Sequence, residues 1–149
     1  RPPRSTLFPY TTLFRSCFPA ELDVAGVVLP VRAFHDTGFG VREPLSGCGV
    51  VLVRFAAVEA RLPPALRTYL KETFSGSGIL PPPELGVRLV PCDTVAGHCL
   101  LPAVPAQVLR WTARGQQQTR HDLYAAFCDT PPPPQGWTLL VGSDVMEGS

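Results

Sequence analysis

Asp36-Thr37-Gly38 sets a carboxylate on a tight turn between two apolar segments. Asp tolerates turn geometry and Gly supplies positive φ, so the plain expectation is a hairpin turn. Cys92, His98, Cys99 and Cys128 carry the atoms a zinc ion would need. Structural zinc, however, is held by ligand pairs at short spacing, and the chain has no CxxC, so no metal and no cofactor are expected. His35, His98 and His121 fall in turns or loop edges, where a solvent-exposed histidine is the default. Arg110, Arg114 and Arg120 flank a glutamine run and could face a phosphate or an acidic peptide; a solvated loop is the plainer account. Pro131–Pro134 could offer a polyproline ligand, but reads as a rigid loop. There is no nucleophile elbow, phosphate loop, HExxH or dinucleotide turn. No catalytic residue is assigned.

Residues 6–16 read TLFPYTTLFRS, which resembles the translation of a sequencing adapter. Residues 1–16 are therefore expected to be a disordered scar, and 17–149 a fragment of a longer chain. Without the three arginines of the scar the formal charge falls from +1 to −2, with 10 basic against 12 acidic residues. Nucleic acid is not an expected partner. No apolar run approaches the ~18 residues of a membrane span, so no membrane partner is expected. Five cysteines, an odd number, suggest reduced thiols in an intracellular protein, cytoplasmic or nuclear.

The elements that must carry these residues are mostly β. Residues 24–34 are rich in β-branched side chains. A second strand is expected at 39–45 and a third at 50–55, making a meander. In the third, alternation sets Val51, Val53 and Phe55 on one side and Val50, Leu52 and Arg54 on the other. A helix is expected at 63–74, with proline in its first turn and Leu66, Leu70 and Phe74 along one face. Further strands are expected at 85–92, 99–111, 123–128 and 137–141. Turns fall at 93–97 and 129–136, a polar loop at 113–120, and a cap plus one helical turn at 143–146. Pro102 and Pro105 confine their strand to an edge or bulge. Each β set closes a strand on an Asp-Thr turn, which hints at a repeat. A ~60-residue unit buries only about 60% of its surface, so two such units should pack together.

The segments GVRLVPCDTVAGHCLLPAVPAQVL, LYAAFCDT and GWTLLVGSDVM resemble the strands of a Tudor-like domain. VVLPVRAFHDTGFGVREPLSGCGVVLVRF resembles a second copy more loosely. The resemblance is to the tandem Tudor-like domain of unknown function in vertebrate proteins related to von Willebrand factor A domain-containing proteins, and more distantly to certain SET-domain methyltransferases. It implies two small SH3/Tudor-like antiparallel barrels in tandem: 17–60 and 85–149, with a connecting helix and Pro-rich linker at 61–84. It implies no enzyme, but a non-catalytic protein–protein interaction module that holds a peptide on a barrel or in a groove between units. The binding residues would be Phe39, Phe55, Tyr124, Phe127 and Asp129. In an alternative form these rings would read methylated lysine or arginine on a histone, although no ring stands at the usual cage positions of the second unit.

The DTG of Asp36–Gly38 also resembles the active-site loop of aspartic proteases, where two carboxyl groups share a proton. Retroviral-type members supply one loop per subunit and dimerise. Apolar residues precede the Asp in that family; here His35 does, and no second loop follows. The same three residues resemble a nucleotide box of histidine-kinase-type ATPases, without the phosphate loop that accompanies it. An aspartic-protease-like enzyme using Asp36 is the competing reading.

Overall fold

Seven strands form one mixed sheet in a computed structural model that describes residues 16–94 and 97–148. The strands are β1 (Phe18–Val24), β2 (Val27–His35), β3 (Val50–Arg54), β4 (Arg88–Thr94), β5 (Gly97–Ala113), β6 (Gln116–Cys128) and β7 (Leu139–Val141). Their order is β1-β2-β7-β3-β6-β5-β4, and β1 also pairs with β5. Six strands thus close into a barrel, with β4 outside on the first half of β5. Among the described residues three α-helices accompany the sheet: α1 (Phe55–Val58), α2 (Pro64–Phe74) and α3 (Ser143–Glu147).

The mainly β class holds, but one barrel stands where two in tandem were expected. The reason is interleaving. β2 pairs in parallel with β7, and β3 in parallel with β6, while β3 and β7 run antiparallel. Strands from both ends of the chain therefore complete each other's hydrogen bonding, and neither half closes by itself. The expected scar lies outside the described residues except for Ser16, as do Val95 and Ala96 of the expected 93–97 turn.

Local sequence explains most elements. Ala25 and Gly26 take φ of 51° and 80°, the paired positive values of a two-residue hairpin turn. They split the expected 24–34 strand into β1 and β2. β3 is buried along its whole length, as suits a strand covered on both faces. Its sidedness is the expected one: Val51 and Val53 join the barrel interior with Leu22, Leu29, Leu109 and Phe127. Val50 and Leu52 join a second cluster with Phe34, Val90, Leu101 and Ala103. The expected strand at 39–45 is a loop touching the sheet by a single bridge, Arg42 to Gly49.

The helix appears where the four-residue spacing put it. Leu66 and Leu70 are fully buried in the barrel cluster. The Phe74 ring meets Phe55 at 5.5 Å. Burying each leucine is worth roughly 1.5–3 kcal/mol, which ties α2 to the barrel. β5 is an interior strand, paired with β4 and β1 on one side and β6 on the other, not the edge that its prolines suggested. Pro102 pairs with β4 but lies before the start of β6 pairing, and Pro105 falls between the ends of β4 and β1. The prolines are accommodated where pairing on one side lapses. The expected polar loop at 113–120 is instead a tight β5–β6 hairpin turning on Arg114 and Gly115.

Candidate active site

β2 ends at His35, and the Asp36-Thr37-Gly38 turn leaves the barrel there. Two backbone bonds shape it. The Asp36 N–H donates to the Val141 carbonyl of β7 at 2.9 Å, and the Phe39 N–H donates to the Asp36 carbonyl at 3.1 Å. Asp36 is half-buried, whereas Thr37 and Gly38 are exposed. The Asp36 Oδ1 accepts the Gly38 N–H at 2.9 Å. One carboxylate oxygen is thereby fixed by the turn's own backbone while the group stays open to solvent. That is the arrangement a reacting carboxyl needs: oriented but accessible.

β7 is the counterpart. It lies between β2 and β3 and runs into Gly142. A methyl at Gly142 would stand 2.9 Å from the Phe39 carbonyl carbon, so only glycine admits the loop at this distance. Across the same junction the His35 imidazole meets the Ser143 hydroxyl, Nε2 to Oγ, at 2.9 Å. Ser143 therefore does not act as the expected cap. It is the first residue of α3, whose N-cap is Gly142, and no side chain caps the helix. The sequence put Val141 in a strand and Ser143 at a helix cap, but gave neither of them, nor Gly142, a part in a site. Their signal was faint, an apolar strand running into glycine.

The neighbouring carboxylates are committed. Asp144 pairs with Arg42 at 3.0 Å. Glu43 is 1% exposed, and its carboxylate accepts the N–H groups of Leu45 and Ser46 at 3.1 and 2.8 Å. A hydrogen bond from the Ser46 side chain, followed by these two backbone bonds, holds its pKa below the usual carboxylate value. Asp23 and Glu21 pair with Arg110 where β1 meets β5.

The five expected binding residues do not converge. Phe55 and Phe127 point into the barrel cluster, Phe127 with no exposure. Phe39 and Tyr124 pack on the second cluster across the sheet. Asp129 is exposed beyond the end of β6. Phe39 alone adjoins the Asp36 turn. Cys92 and Cys128 are buried free thiols. Burial, reinforced by Cys99 and Cys128, pushes the Cys92 thiol up to about 11. Among the described residues no group of three or more metal-binding side chains converges.

Residues 9–136 match the family model described as Peptidase_U4, sporulation factor SpoIIGA. No curated protein matches the chain. The family match overturns the tandem Tudor-like resemblance, and with it the non-catalytic interaction module, the methyl-peptide reader and the expectation that the chain is no enzyme. The Tudor pattern rested on short strands and an acidic turn, which many small barrels share. The family match also removes support from the intracellular location, cytoplasmic or nuclear, that was argued from the odd number of cysteines. No helix of the described residues is long and apolar enough to cross a membrane.

Proposed function

We propose that this chain, which belongs to the sporulation factor SpoIIGA family of peptidases, cleaves peptide bonds by aspartic-type catalysis with Asp36 as the reacting carboxyl group. The observation that carries this reading is the Asp36 turn, half-buried, with one oxygen fixed by the Gly38 N–H and its backbone locked onto β7. The alternative raised by the sequence thus replaces its main reading.

Aspartic chemistry needs two carboxyl groups that share one proton. Asp144 is paired with Arg42, and Glu43 with the Leu45 and Ser46 N–H groups. A second copy of the chain supplies the partner carboxyl, its Asp36 facing this one across a two-fold axis. The ionised carboxylate takes a proton from water as the water oxygen bonds to the scissile carbonyl carbon. The protonated carboxyl gives its proton to the carbonyl oxygen. The resulting tetrahedral diol collapses as its C–N bond breaks. One hydroxyl proton returns to a carboxylate, and the amine nitrogen leaves with a proton from the other. Phe39, beside the turn, forms an apolar wall for the substrate.

The test is cleavage of a peptide library by the purified chain and by its Asp36→Asn variant. The reading expects cleavage by the native chain and none above background by the variant, with thermal melting unchanged. Equal cleavage by both would overturn it.

A further inference from the structure

The residue before the reacting aspartate is a histidine with a specific partner. His35 closes β2 in parallel register with Val141. Its ring is half-buried, and Nε2 lies 2.9 Å from Ser143 Oγ, 108 residues away in sequence. Ser143 is the first residue of α3, one position past its N-cap Gly142, and its hydroxyl is directed at His35.

We propose that His35 is a positioning residue for Asp36, its hydrogen bond to Ser143 Oγ fixing the end of β2 against the start of α3. The inference rests on Asp36 being the reacting group. The mechanics follow from the connectivity. Asp36 is tied to β7 by the bond from its N–H to the Val141 carbonyl. The loop beyond it is tied by the close approach of Phe39 to Gly142. Neither tie sets the twist of the strand end between them. The His35–Ser143 bond does, because it joins the side chain directly before Asp36 to the residue directly after Gly142. Two carboxyl groups that share a proton tolerate little misplacement, and errors of this kind appear in turnover before they appear in binding.

The experiment compares steady-state cleavage and thermal melting for the native chain and the variants His35→Ala, Ser143→Ala, His35→Gln and the double alanine. His35→Ala and Ser143→Ala should each lower kcat about tenfold, the effect of one net hydrogen bond, with KM and Tm little changed. The double variant should be no worse than either single one. His35→Gln, whose amide reaches the place of Nε2, should recover most of the loss. Native turnover in His35→Ala or in Ser143→Ala would overturn the inference and leave Asp36 catalysis standing. So would a loss that follows Tm, or one that Gln does not restore. Absence of any Asp36-dependent cleavage by the native chain would overturn both.

Discussion

Gly142→Ala is the perturbation with the most defined structural consequence. The added methyl would stand 2.9 Å from the carbonyl carbon of Phe39 and nearer still to its oxygen. Carbon and oxygen ordinarily meet at about 3.3 Å or more, so the loop must retreat by on the order of 1 Å. The obstacle is backbone on both sides, and no rotamer relieves it. Overpacking of this kind costs roughly 1–3 kcal/mol, a fall of several degrees in Tm for a domain of this size. The loop that yields carries Asp36, through the Phe39 N–H bond to its carbonyl. A displacement near 1 Å at a reacting group costs about a hundredfold in turnover. Circular dichroism melting and peptide cleavage should therefore separate, with a modest loss of stability and a severe loss of kcat. A Gly142→Ala chain with native turnover would refute the claim that this contact holds the Asp36 turn.

Phe127→Ala should destabilise the chain by about 3–5 kcal/mol, measured by urea unfolding, because the ring is fully buried in the barrel. A cost under ~1 kcal/mol would contradict its place in the barrel core. Glu43 has a lowered pKa in the folded chain, so the stability it adds is present in full above its ordinary value near 4.5. That stability is lost as pH falls through the lowered folded value. Melting temperature between pH 6 and pH 3 should fall less steeply for Glu43→Gln than for the native chain, and parallel curves would remove Glu43 from the acid response. Cys92 and Cys128, buried and with pKa values raised, should react slowly with a thiol reagent at pH 8 until denaturant is added. Cys17 and Cys48, half-buried near the surface, should label first, and uniform labelling of all five would contradict this.

Local features were legible where a period or a turn residue announced them. The spacing of Leu66, Leu70 and Phe74 gave α2, and the alternation through Val50–Arg54 gave β3 and both its faces. The β1–β2 hairpin was hidden because Ala25, which rarely takes positive φ, shares the turn with Gly26. The β5–β6 hairpin was hidden by its exposed glutamines, which leave no apolar alternation to read. The parallel pairings of β2 with β7 and β3 with β6 join residues 106 and 74 positions apart, and no local pattern encodes them. The single barrel was lost for that reason. At the site, Asp36-Thr37-Gly38 was visible as a motif. It ranked as a mere turn because His35 broke the apolar approach and no second loop followed. The structure gives His35 a partner in Ser143, and under the proposed function a second copy of the chain would supply the missing loop.

Mixing native chain with the Asp36→Asn variant tests the shared dyad most directly. At one native chain to nine variant chains, refolded together, random pairing in a two-fold dimer leaves each native chain about a one-in-ten chance of a native partner. Cleavage per native chain should then fall to about one-tenth. Cleavage per native chain that stays constant at every mixing ratio would mean that each copy works alone, and would contradict the account.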